Sequence, residues 1–89
     1  MPQTFLKDPA AVLPYSWDWS DWLREDTIQT ATVTAPAGLT VVNTVVAAKA
    51  VTAWLGGGVA GKNYSVVCHI FTAAGSQDER TISVKITDR

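Results

Sequence analysis

Asn63-Tyr64-Ser65-Val66-Val67-Cys68-His69-Ile70-Phe71-Thr72 is the longest stretch of the chain that keeps a period of two. Successive side chains of an extended chain point to opposite faces, so Tyr64, Val66, Cys68 and Ile70 share one face and Ser65, Val67, His69 and Phe71 the other. A helix would instead place its apolar residues at i, i+3 and i+4. Ahead of this strand, Gly56-Gly57-Gly58 and Gly61 bracket a long turn. Behind it, Ala73 to Asp78 reads as a hairpin loop. Arg80 to Thr87 then alternates again, with Ile82, Val84 and Ile86 directed inward.

The same period carries back toward the N-terminus. Leu13, Tyr15, Trp17 and Trp19 alternate with Pro14, Ser16, Asp18 and Ser20, and Pro14 marks an edge strand or a strand start. Ser20 to Leu23 breaks the alternation and predicts a turn or one helical turn, followed by the polar link Arg24-Glu25-Asp26. Ile28 to Pro36 is a threonine-rich strand closed by proline. After Gly38, Leu39 to Val42 is a short apolar strand, Asn43-Thr44 a weak break, and Ala50 to Leu55 another strand. Ala47-Ala48-Lys49-Ala50 favours helix by composition. The β-branched Val45, Val46, Val51 and Thr52 around it, and the shortness of the run, predict strand there as well. About seven short strands with no sustained helical period predict an all-β antiparallel sandwich.

The chain has 89 residues, room for one domain. We divide it into an extended N-terminal arm, residues 1–12, and a sandwich, residues 13–89. Pro2 and Pro9 favour extended geometry in the arm, and Phe5, Leu6 and Val12 are too apolar for a tail that only solvates. Two readings follow: a frayed terminus or first edge strand, or an arm docked on a neighbouring subunit. Seven basic against eight acidic side chains leave a net charge of -1, which gives no field for nucleic acid. No apolar run reaches the roughly 18 residues of a membrane span. One cysteine excludes an internal disulfide and a cysteine-based zinc site. A domain of this size buries only about 60–65% of its unfolded surface, so a partner surface is the expected source of further stability.

Three constellations suggest chemistry. Gly56-Gly57-Gly58-Val59-Ala60-Gly61-Lys62-Asn63 misses the phosphate-cradling G-x-x-x-x-G-K-[ST] pattern only at its last position. That cradle needs a following helix whose amides face the phosphates, and here a strand follows. Cys68 and His69 resemble a nucleophile pair, but neighbours on a strand point apart and cannot hydrogen-bond. Asp18, Asp21, Glu25 and Asp26, with Asp78 and Glu79, offer oxygen donors without the spacing or central glycine of a calcium loop. A solvated face or turn capping explains them. The sequence thus predicts no catalytic residue, metal or cofactor.

Trp17, Trp19, Trp22 and Trp54 are four tryptophans in a small chain. Core packing uses some of them, and all four in one small core would be crowded. At least one is therefore expected at an interface, where tryptophan serves as an anchor. A carbohydrate-stacking platform competes, although the polar residues that usually flank such rings are sparse.

Gly61-Lys62-Asn63-Tyr64-Ser65-Val66-Val67-Cys68, followed by Thr72-Ala73-Ala74-Gly75-Ser76, resembles the penultimate strand and last hairpin of immunoglobulin- or fibronectin-like modules, with Tyr64 in the place of their corner tyrosine. The chain departs from the antibody pattern in lacking a partner cysteine and in the four-residue offset from Tyr64 to Cys68. A resemblance over nearly the whole chain is carried by Phe5-Leu6-Lys7-Asp8-Pro9, Tyr15-Ser16-Trp17-Asp18-Trp19-Ser20-Asp21-Trp22-Leu23, Asp26-Thr27-Ile28, Trp54-Leu55-Gly56-Gly57-Gly58 and Asp78-Glu79-Arg80-Thr81-Ile82. These segments resemble small structural proteins of tailed bacteriophages, in particular the phage fiber-tail adaptor group.

The resemblance implies an immunoglobulin-like sandwich acting as a non-catalytic virion component, made in the host cytoplasm and resident in the tail. It would join tail fibres to the tail or connector, in several copies around a symmetry axis, with other phage proteins as partners and neither nucleic acid nor membrane among them. Phe5, Leu6, Tyr15, Trp17, Trp19 and Trp22 are the expected docking residues, with Asp18 and Asp21 setting orientation against basic groups. A capsid decoration protein uses the same physics and is the alternative. A carbohydrate-binding module, or an enzyme using Cys68 or His69, would belong to a different class.

Overall fold

Period-two segments separated by glycine, proline and polar turns close into two stacked sheets in the computed structural model, which describes residues 4–87. The strands are β1 (Thr4–Lys7), β2 (Leu13–Asp18), β3 (Ile28–Thr34), β4 (Leu39–Val46), β5 (Ala50–Gly57), β6 (Asn63–Thr72) and β7 (Gln77–Ile86). A single helical turn, α1 (Ser20–Leu23), joins β2 to β3. One sheet has the order β1-β7-β6-β3 and the other β2-β5-β4. The chain is therefore an all-β sandwich of four and three strands.

The alternation seen in the sequence becomes the core. Val51, Ala53 and Leu55 of β5 meet Val66, Cys68 and Ile70 of β6 and Val84 and Ile86 of β7, all of them fully buried. Burying a large aliphatic side chain contributes about 1.5–3 kcal/mol, so these central strands supply much of the stability. Tyr64 closes the corner at the start of β6. Its hydroxyl accepts a 3.0 Å hydrogen bond from the Val59 amide, and its ring lies so close to Gly38 that a Cβ there would stand 3.0 Å from the hydroxyl. Gly58, at φ +101°, is still more confined, because a Cβ would come within 2.6 Å of Ile86.

Several boundaries differ from expectation. Ala47 to Lys49 form a hairpin turn, not strand, closed by the Ala47 amide on the Ala50 carbonyl at 2.8 Å. Tertiary pairing of β4 with β5 requires a reversal there, whatever the flanking β-branched residues favour. The weak break at Asn43-Thr44 is a bulge between Val41 and Asn43, and β4 continues through it to Val46. β7 starts at Gln77, earlier than Arg80, because Gln77, Asp78 and Glu79 pair with Phe71, Ile70 and His69.

The segment assigned to the arm contains β1, which pairs in parallel with β7, Phe5 opposite Val84 and Lys7 opposite Ile86. Lys7 is completely buried, and its ammonium donates to the Asp8 and Gly57 carbonyls at 2.9 and 2.7 Å. That bond ties the first strand to the end of β5 in the other sheet. Burial lowers the Lys7 pKa, and the neighbouring Asp8 charge opposes that shift. Pro2 and the rest of residues 1–3 lie outside the described residues.

Candidate docking surface

β2 delivers the aromatic segment, and its alternation divides the candidate residues. Tyr15, Trp17 and Trp19 point into the core at 6, 3 and 0% exposure, while Ser16 and Asp18 face solvent. Phe5 from β1 packs edge-on against Tyr15, ring centres 5.1 Å apart, and is itself partly buried. Four of the eight expected docking residues therefore belong to the packing between the sheets. Tyr15 Oη and Trp17 Nε1 are buried and find no hydrogen-bond partner among the described residues. Burial also raises the Tyr15 pKa.

Two polar side chains hold the Trp19 ring. Its indole N–H donates to Asp78 Oδ2 at 2.8 Å, and the Arg80 guanidinium lies 5.0 Å above its ring. Arg80 in turn approaches Asp78 at 3.5 Å and donates to the Asp18 carbonyl at 2.8 Å. Asp78 and Arg80 lie 59 and 61 positions from Trp19, a separation that hid this cluster from sequence reasoning. The signal available was the polar run at 77–80, split in the sequence reading between the end of the hairpin loop at Asp78 and the start of the next strand at Arg80.

The helical turn then separates Leu23 from Trp22. Adjacent residues on a helix diverge by about 100°, so burying Leu23 turns Trp22 outward, and 42% of Trp22 is exposed. The turn is fixed at both ends. Asp18 accepts from the Ser20 amide at 2.9 Å, the interaction that chiefly lowers its pKa. At the other end Arg24 sits at φ 57°, the only non-glycine residue with positive φ among those described, and the buttress is Lys49. Its ammonium donates to the Arg24 and Asp26 carbonyls, and the Lys49 carbonyl accepts from the Trp19 amide at 2.9 Å. Asp26 caps the following loop by accepting from the Thr27 and Ala74 amides, and a hydrogen bond with Thr72 is the largest cause of its lowered pKa.

Trp22 is thus an indole presented on a braced turn, with exposed Asp18 and Asp21 beside it in sequence. Leu6, 55% exposed on the outer side of β1, is a second uncovered apolar residue of the candidate set. Phe5 and Leu6 behave as an alternating strand requires, one in and one out.

The other constellations resolve simply. Gly56 and Gly57 end β5, and residues 58–62 form the turn into β6, with no helix to aim amides at a phosphate. Cys68 is buried in the core, and burial pushes its thiol up to about 12. His69 lies on the opposite face and bonds Gln77 and Glu79 at 3.0 and 3.2 Å, which raises its pKa, Gln77 contributing most. Among the described residues no group of three or more His, Cys, Asp or Glu side chains is placed to hold a metal ion. Among the described residues no helix is long and apolar enough to cross a membrane.

No curated protein matches the chain. The family model described as podophage GP4 fiber-tail adaptor protein gp77 matches residues 7–85, which spans β1's buried lysine, the aromatic segment and nearly all of β7. The chain therefore belongs to the podophage GP4 fiber-tail adaptor protein gp77 family, a family of structural components of the phage tail.

Proposed function

We propose that the chain joins tail fibres to the tail or connector as one of several identical, non-catalytic copies, docking through the Trp22 turn and the outer face of β1. The observation that carries this reading is a large aromatic left 42% exposed on a turn that Asp18 and Lys49 hold in place. A tryptophan on a braced backbone has only two side-chain torsions to order when covered, a low entropy cost that suits an interface anchor. Leu6 supplies a second apolar contact, and Asp18 and Asp21 orient the turn against basic groups of the partner. Phe5, Tyr15, Trp17 and Trp19 act indirectly, by fixing the frame from which Trp22 and Leu6 project. The strand order β1-β7-β6-β3 with β2-β5-β4, together with the Tyr64 corner, supports the immunoglobulin-like reading of the sandwich.

Incorporation into particles tests the docking role. Leu6→Asp and Trp22→Ala change exposed side chains and should leave the monomer folded. Particles assembled with the double variant should lose the chain or their fibres. Normal incorporation and fibre attachment with the double variant would refute docking through these residues.

A further inference from the structure

From Thr27 to Ala48 the chain carries no Asp, Glu, Lys, Arg or His. The fold places this run on one flank, where β3 ends the four-stranded sheet and β4 ends the three-stranded one. Sheet edges expose unpaired amides and carbonyls, and proteins usually blunt them with charges, proline, short strands or bulges. On this flank β3 and β4 have seven and eight residues, neither contains proline, and each carries one bulge. Thr30–Thr34 and Asn43–Val46 remain regular free edges, and Val42, Val45 and Val46 are 56, 47 and 41% exposed. The opposite flank is blunted: β1 has only four residues and β2 contains Pro14.

We infer that the β3–β4 flank binds the same flank of a second copy, the two β4 strands running antiparallel about a two-fold axis and the two β3 strands alongside. A two-fold axis along the sheet normal brings β4 to β4 and β3 to β3 together, because both copies have the same sheet spacing. Self-pairing is unopposed because the flank is uncharged, so no like charges meet across the axis. The size also fits. The molecule measures 42 × 24 × 18 Å. A flank one sandwich thick therefore offers on the order of the 800 Å² that each partner buries in a stable interface. The blunted flank, on the opposite edge of both sheets, stays free for other proteins. The inference deepens the multi-copy part of the proposed function and rests on it only there.

Sedimentation equilibrium of the purified full chain over a concentration series tests it. The wild type should approach about 19 kDa, twice the 9.5 kDa chain. Thr32→Lys with Val45→Lys, both on outward-facing edge positions, should restore the monomer mass with an unchanged circular dichroism spectrum. Amides of residues 43–46 should exchange more slowly at high concentration in the wild type and not in the variant. A wild type that stays monomeric at several hundred micromolar overturns the inference, as does a dimer that survives both lysines. Either result leaves the docking role intact, since particle incorporation of the Leu6 and Trp22 variants tests that separately.

Discussion

Trp19→Ala and Trp22→Ala remove the same side chain three residues apart and should have opposite consequences. Trp19 is fully buried, donates to Asp78 and lies under Arg80, so truncation leaves a large cavity and removes one of the two partners of the Asp78 carboxylate, Arg80 remaining. A buried tryptophan truncated to alanine costs about 3–5 kcal/mol. A domain of 89 residues has a total stability of about 4–13 kcal/mol, so much of it would be lost. At about 4–8 °C per kcal/mol, the melting temperature should fall by at least ~12 °C. Trp22 keeps 42% of its surface in water, and its truncation should shift stability by only about 0.5–1 kcal/mol. Its effect belongs to assembly. Covering the remaining ~100 Å² of an indole contributes ~2.5 kcal/mol at about 25 cal/mol per Å². That amounts to about 60-fold in affinity per docked copy. Thermal melts of the two purified variants, beside an assay of particle incorporation, separate the effects. Equal melting losses would refute the division of the aromatic segment into a core half and a docking half.

Four further outcomes follow from particular contacts. Gly58→Ala combines positive φ with a 2.6 Å clash on Ile86 and should cost about 2–4 kcal/mol in chemical denaturation, whereas Gly61→Ala, with open space around it, should cost only the backbone strain of about 1 kcal/mol. Tyr15→Phe removes a buried hydroxyl that has no partner among the described residues, so the melting temperature should hold or rise; a clear fall would show that the hydroxyl is satisfied. His69 should titrate above 6.5 by NMR, and Gln77→Ala should lower that value. Because the folded pKa is raised, the contribution of His69 is fully present below pH 6.5 and fades as pH climbs through the folded value. Cys68 should resist iodoacetamide at pH 8 in the native chain and react only after unfolding, given its burial and a pKa of about 12.

Much of this architecture is legible without coordinates, for a definite reason. Alternation reports the face on which a side chain lies, and so the inward set of β6 and of β7 from Ile82 onward emerges directly from the residues. Alternation does not report whether a face meets the other sheet or another protein. Tyr15, Trp17 and Trp19 could therefore be grouped but not assigned to the core. The bulge at Val42 interrupts the period, which made β4 look shorter than it is. The strand assigned to Ala47 to Lys49 failed because a hairpin reversal is decided by the pairing of β4 with β5, not by local propensity. Lys7 is the least readable residue. A lysine completes its burial here only because carbonyls of Asp8 and of Gly57, fifty positions away, accept hydrogen bonds from its ammonium. The exposure of Trp22 follows from the helical turn at Ser20, which the break in period had signalled, and from the burial of Leu23, which it had not.

Hydroxyl-radical labelling read residue by residue by mass spectrometry, on the free chain and on assembled particles, probes the adaptor account most directly. The account predicts strong labelling of Trp22 and Leu6 in the free chain and clear protection of both in the particle, with Trp17 and Trp19 shielded throughout. Trp22 labelled equally in both states would contradict it.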